Sequence, residues 1–137
     1  MFLTDGWQDY TILDTGDGMK LEKWGDVILS RPDPQVIWAK QAPALWNTAH
    51  AEYLRSDRGG GSWKFFKQLP ERWTVSYGGL KFYVRPTGFK HTGLFPEQAA
   101  NWDFMADMIR RAPFKPRVLN LFAYTGGATL ACAQAGA

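Results

Sequence analysis

Near the end of the chain, Tyr124-Thr125-Gly126-Gly127 follows the apolar run Val118-Leu119-Asn120-Leu121-Phe122-Ala123 and precedes Ala128 to Ala135. A strand that ends in a glycine turn and opens a helix presents free backbone N–H groups, and glycine has no side chain to hold a ligand off. Such a turn suits a nucleotide-like ligand, although on these residues alone an ordinary strand-to-helix turn is an equal reading. The G-x-G-x-x-G spacing of dinucleotide enzymes is absent, which counts against a nicotinamide oxidoreductase.

Other reactive types are sparse. His91 beside Lys90 could serve as a general base, since histidine titrates near neutrality, but loop structure or substrate contact is the simpler role. His50 reads as a partly buried polar residue. Cys132, the chain's single cysteine, lies in an alanine-rich stretch and reads as packing rather than as a nucleophile; alone it also excludes an internal disulfide and fits a reducing compartment. One Cys and two separated His supply no metal-ligand set. Arg55, Arg58, Lys64, Lys67, Arg72, Lys81, Arg85 and Lys90 are interleaved with aromatic residues, a composition that suits a phosphate track with stacking platforms, but solvated strand faces over a core are the plainer explanation.

The elements that must position these residues fall into two regions. Tyr10 to Leu13 and Met19 to Trp24 flank Thr15-Gly16-Asp17-Gly18 and predict a hairpin. Val27 to Ser30 and Val36 to Trp38 are further strand candidates around the Pro32-Asp33-Pro34 breaker. Leu45, Trp46, Ala49 and Tyr53 follow helical spacing before the Arg58-Gly59-Gly60-Gly61 loop. Trp73 to Tyr77 and Leu80 to Val84 flank Gly78-Gly79 and predict a tight hairpin, with Trp63, Phe65 and Phe66 supplying a strand beside it. Residues 1–88 therefore read as a small β-rich domain. Beyond them Pro96-Glu97-Gln98 opens an amphipathic helix through Trp102, Met105, Ile109 and Ala112 to Pro113. A buried strand over Arg117 to Ala123, the glycine turn, and a helix from Ala128 to Ala135 capped by Gly136 complete residues 89–137.

With 45% hydrophobic and 21% charged residues, 7 Trp and 9 Phe, the sequence is globular rather than disordered. A formal charge of +3 is compatible with an RNA partner without requiring one. No apolar run approaches a membrane span, and Asp5 and Asp9 interrupt the place of a signal peptide, so a soluble cytoplasmic protein is expected.

Two strings carry a family resemblance. VLNLFAYTGG, from Val118 to Gly127, resembles the donor-binding motif of class I S-adenosylmethionine-dependent RNA methyltransferases related to the bacterial large-subunit ribosomal RNA cytosine carbon-5 enzymes. FKHTGLFPEQAANW, from Phe89 to Trp102, resembles the segment preceding that motif, and GGGSWKFFKQLP, from Gly59 to Pro70, is similar to a bacterial subgroup of the same enzymes. The resemblance implies an α+β chain in which the β-rich domain orients substrate, with RNA the expected partner. Residues 89–137 would then be the first strand-loop-helix unit of a Rossmann-like methyltransferase domain. It further implies S-adenosylmethionine as cofactor, with Tyr124, Thr125, Gly126 and Gly127 at its methionine end and Thr92, Gly93 and Gln98 closing over it. The acidic residue that holds the ribose and the loop beside the transferred methyl would lie beyond Ala137, so the expectation is the front end of a methyltransferase, inactive alone, with no catalytic residue assignable. The cysteine the family uses on cytosine lies far downstream, and Cys132 does not match it. The competing reading is a stand-alone β-rich RNA-binding module.

Overall fold

The structure is a computed structural model that describes residues 3–137. Strands β1 (Tyr10–Gly16) and β2 (Met19–Trp24) pair antiparallel around Asp17 and Gly18. Their φ angles of 53° and 73° are the two left-handed residues that a tight hairpin requires. The hairpin predicted from the sequence is therefore present, with β1 running three residues further than Leu13. Strand β3 (Val27–Pro32) adds antiparallel to β2, and β4 (Ala51–Arg55) pairs parallel with β3 through Leu29–Ala51 and Ser30–Glu52. Strand β5 (Gly61–Phe65) closes a five-stranded mixed sheet of order β1-β2-β3-β4-β5. The Gly78-Gly79 hairpin forms as expected from β6 (Trp73–Tyr77) and β7 (Leu80–Val84), a separate two-stranded sheet.

Three expectations for the β-rich region need correction. Trp63 and Phe65 do lie on a strand, but β5 pairs with β4 and not with the later hairpin. Val36 to Trp38 forms no strand: it crosses the tip of the first hairpin, where Asp17 N–H donates to Trp38 O at 2.7 Å and Gly18 N–H to Val36 O at 2.8 Å. The crossing is so close that a Cβ on Gly16 would lie 2.2 Å from the Lys40 backbone nitrogen. The helix expected around Leu45 to Tyr53 is a short 3-10 helix over Pro43–Thr48, and Tyr53 belongs to β4. Asp14 fixes this excursion, since a bulge between Ile12 and Asp14 brings its carboxylate to the N–H groups of Gln41 and Ala42 and the Trp46 indole.

Helix α1 (Ala99–Arg111) follows a 3-10 turn over Pro96–Gln98 and buries Ala99, Trp102, Ala106 and Ile109, the spacing of one helical face. Helix α2 (Gly127–Gln134) packs on it at Gly127, where a Cβ would lie 2.8 Å from the Trp102 ring. Gly136, at φ 107°, ends α2: its N–H donates to Ala133 O and the Ala137 N–H to Cys132 O, each at 3.1 Å. This is the double closure that a glycine after a helix permits, as the sequence predicts.

One core joins these parts. Trp7, Trp24, Leu29, Val75, Phe82, Val84, Trp102 and Ala131 belong to a single buried cluster. Trp24 meets Tyr10 edge-on at 4.6 Å, and Phe82 meets Trp102 at 5.3 Å. Hydrogen bonds lock the layers in place. The Trp73 indole donates to Trp24 O at 2.8 Å, tying the second hairpin to the first sheet, and the Trp7 indole donates to Pro96 O at 3.0 Å, tying the segment before β1 to the turn that opens α1.

The expected buried strand over Arg117 to Ala123 is absent. The segment is irregular and exposed, with Leu119 at 81% and Phe122 at 93% accessible. A parallel strand is stable only when neighbours take up its N–H and C=O groups and cover its faces. Among the described residues no strand pairs with this segment.

Candidate donor-binding cleft

The segment between β7 and α1 is pinned at several points. Arg85 N–H donates to Thr92 O at 3.1 Å, and the Thr87 hydroxyl donates to His91 O at 2.7 Å. The third anchor comes from the first sheet. Arg31, 4% exposed, donates through Nη1 to Lys90 O at 3.0 Å, while its Nε and Nη2 grip the fully buried Glu22 carboxylate at 2.6 and 2.7 Å. Tyr10 donates its hydroxyl to the same carboxylate at 2.7 Å. Burial alone would push the Glu22 carboxyl upward, but the hydrogen bonds and charge of Arg31 outweigh it and hold Glu22 below the usual carboxylate range. The Tyr10 phenol is pushed up strongly, by burial first and by the Glu22 charge second.

This fixed loop meets the glycine turn. The Thr125 hydroxyl donates to Gly93 O at 2.6 Å across 32 residues of sequence, and Tyr124 lies against the Phe95 ring at 4.9 Å. Tyr124 has φ 51° and Gly126 φ 92°, so two left-handed residues turn the backbone into α2. Gly126 N–H donates to Ala123 O at 2.8 Å and the first intrahelical bond runs from Leu130 N–H to Gly126 O, which leaves the N–H groups of Gly127, Ala128 and Thr129 without a carbonyl one turn behind them. Thr92, Gly93, Tyr124 and Thr125 line one cleft of about 480 Å³, whose other wall carries Arg72, Tyr83 and Arg85. Thr92 is fully buried and its hydroxyl has no hydrogen-bond partner. An unpaired buried hydroxyl costs stability where it stands.

Of the residues singled out in the sequence, Thr92, Gly93, Tyr124 and Thr125 thus converge. Gly126 and Gly127 adjoin them, the first shaping the turn and the second packed on Trp102. Gln98 does not line the cleft: it is exposed at the start of α1 and accepts a hydrogen bond from Asn101 at 2.9 Å. Cys132 is buried, with its sulfur 3.9 Å from that of Met105, and burial pushes its thiol up, away from the thiolate a nucleophile needs. His50 lies outside the cleft, where its Nδ1 accepts the Ile28 N–H at 3.0 Å and continues the pairing of β3 with β4. Arg31 and Glu22, which set the loop's position, were missed in the sequence, where two opposite charges on adjacent strands look like solvated faces.

The chain resembles known proteins in fold and sequence. A structure of the S-adenosylmethionine-dependent methyltransferase of Agrobacterium tumefaciens superposes on 96% of this chain with a TM-score of 0.89 at 40% identity. The chain is a relative of S-adenosylmethionine-dependent methyltransferases. It spans 42% of the Agrobacterium protein's length. The ribosomal RNA large subunit methyltransferase K/L of Magnetococcus marinus is 43% identical over 63 residues, which cover 46% of this chain and 8% of that protein. The same fold recurs at 18% identity and a TM-score of 0.65 in a candidate methyltransferase from Streptococcus mutans, over 97% of this chain and 38% of that one. No family model matches the sequence. Among the described residues there is no cluster of His, Cys, Asp or Glu able to hold a metal, and no helix long and apolar enough to cross a membrane.

Proposed function

We propose that this chain supplies the donor cleft of an S-adenosylmethionine-dependent methyltransferase acting on RNA in the cytoplasm. The observation that carries the reading is the closure of Thr92-Gly93 onto Thr125 around an unpaired buried hydroxyl. The Agrobacterium relative, similar over almost the whole chain, is the supporting likeness for the donor, and the Magnetococcus relative for RNA. In this reading residues 89–137 open a Rossmann-like donor-binding domain, and residues 1–88 form the part that orients substrate.

The residues fit the methionine end of such a donor. The first-turn N–H groups of α2 are free to bond a carboxylate, and a Cβ at Gly126 would meet no atom within 4 Å, so the approach over the turn is open. The exposed Tyr124 ring, held against Phe95, walls the cleft and would offer an aromatic face to the positive charge of a bound sulfonium. The donor supplies an electrophilic methyl group whose transfer needs alignment more than proton movement. The chain's contribution is accordingly positional: Arg31 holds Lys90, Lys90 sets His91 to Gly93, and Gly93 takes the Thr125 hydroxyl.

The test is a calorimetric titration with S-adenosylmethionine of this chain and of a chimera that adds the remaining residues of the Agrobacterium relative. Saturable binding in either, lost in Thr125→Ala and Gly126→Val, is the expected result. No binding in both, or binding indifferent to these substitutions, removes the reading.

A further inference from the structure

A second cleft lies on the far side of Phe89. It measures about 250 Å³ and is lined by Tyr53, Arg55, the Gly59-Gly60 turn, Lys90 and His91. Phe89 borders both this cleft and the donor cleft, with 67% of its surface exposed. Neither Arg55 nor Lys90 makes a salt bridge among the described residues. No acidic side chain lines the cleft.

The charges around it are of one sign. Lys90 is pulled below the ordinary ammonium value, first by partial burial and then by Arg55, with Lys20 and Arg31 adding to this and Asp33 alone opposing. His91 is lowered first by partial burial and then by Lys90, Arg31 and Lys20, against Glu97 alone. Two neighbouring groups therefore report a positive potential, as expected where cations outnumber the anions that face them. The turn contributes openness: Gly59 and Gly60 have φ 86° and 73°, and a Cβ at either would meet nothing within 4 Å. An anion can approach their backbone without steric resistance.

We propose that the Arg55–Lys90 cleft binds a phosphodiester group of single-stranded RNA, and that Phe89 is the stacking platform that carries the adjoining base toward the donor cleft. The inference rests on the methyltransferase reading only for its last step, because phosphate binding at Arg55 and Lys90 stands independently of donor binding. An exposed phenylalanine ring next to paired cations combines the two components that hold single strands, a charged groove for the backbone and a π-face for a base. Loss of a phosphate contact appears as a smaller salt dependence, whereas loss of stacking lowers affinity at unchanged salt dependence.

The experiment measures fluorescence anisotropy of a labelled ten-nucleotide single-stranded RNA with the full chain across a salt series. Arg55→Gln with Lys90→Gln should flatten the slope of log affinity against log salt by about 0.7, the value for one phosphate contact on a single strand. Phe89→Ala should weaken binding roughly 5- to 150-fold with the slope retained. Arg110→Gln with Arg111→Gln, on a helix that lines neither cleft, removes the same charge and should leave the slope in place. Melting curves of each variant confirm folding. A slope unchanged in the Arg55/Lys90 pair, an equal loss in the α1 pair, or no binding by the unaltered chain at low salt overturns the proposal. S-adenosylmethionine titration of the same samples keeps the two readings apart: RNA binding that follows the prediction without donor binding retains the phosphate site and removes the donor reading.

Discussion

Replacing Glu22 by Gln tests whether the donor loop is positioned from the first sheet. The substitution keeps the side chain's size but removes the charge facing Arg31, a guanidinium 4% exposed whose Nε and Nη2 both bond that carboxylate. Breaking one member of a buried ion pair typically costs about 3–5 kcal/mol, because the remaining charge stays buried without compensation. For a chain of this size that corresponds to a fall in Tm of about 10–20 °C. Replacing the pair together, Glu22→Leu with Arg31→Met, should recover most of the loss, since well-packed apolar residues substitute for such pairs at little net cost. Thermal melts followed by circular dichroism measure both. A second readout is local: hydrogen exchange at the Arg85 amide, which donates to Thr92 O, should speed up in the double variant, where Lys90 O has lost its Arg31 donor, even though global stability is recovered. The pH dependence follows with a definite sign. Glu22 is depressed in the folded state, so its contribution is present above the unfolded carboxylate value and is lost as pH falls through the lower folded value. The acid limb of the stability curve should therefore shrink in Glu22→Gln. A single-variant cost below about 1 kcal/mol, the range of a solvated surface pair, would refute the reasoning.

Three further outcomes are expected. Thr92→Val should raise thermal stability by about 1 kcal/mol in a melting experiment, since it removes a buried hydroxyl with no partner; a destabilised variant would mean that the fold already pairs that hydroxyl. Gly127→Ala should cost about 1–3 kcal/mol in a denaturant titration, because the added Cβ would lie 2.8 Å from the Trp102 ring in a tight helix contact, and a neutral result would show that α2 shifts freely. His50 is held below its ordinary value, by burial first and by the nearby Lys67 charge second, and its Nδ1 accepts the Ile28 N–H only when neutral. Stability should accordingly drop as pH falls below the unfolded imidazole value of about 6.5 and level off below the folded value, with a smaller drop in His50→Gln. Stability that rises over that interval would contradict the assignment.

How much could be read in advance depended on the range of the forces involved. Asp17-Gly18 and Gly78-Gly79 specify hairpins locally, because positive φ angles are a property of a few adjacent residues, and both hairpins are present. The α1 face through Trp102 and Ile109 and the Gly136 cap were legible for the same reason. Val36 to Trp38 misled because an apolar triplet has the same pattern whether it pairs in a ladder or crosses a turn; only the hydrogen bonds from the Asp17 and Gly18 N–H groups decide between them. The partner of Trp63 and Phe65 was likewise a long-range choice, made by β4 rather than by the nearer hairpin. In the cleft, the pattern of Thr92-Gly93 and Tyr124 to Gly127 was visible, and the contact between Thr125 and Gly93 was not.

The run from Arg117 to Ala123 separates two meanings of an apolar sequence. Alternation and composition describe what a segment can bury, whereas burial itself needs a partner, and Leu119 and Phe122 have most of their surface in solvent. The turn that follows does not depend on that partner to the same degree. Tyr124 and Gly126 keep left-handed geometry, α2 begins at Gly127 against Trp102, and Thr125 holds Gly93, all through contacts with α1 and the β7–α1 loop. The cleft is therefore shaped from the β-rich side, through Glu22, Arg31 and Lys90. It follows that substitutions at Leu119 or Phe122 should leave the Thr125–Gly93 contact unchanged, while substitutions at Glu22 or Arg31, farther away in sequence, should loosen it.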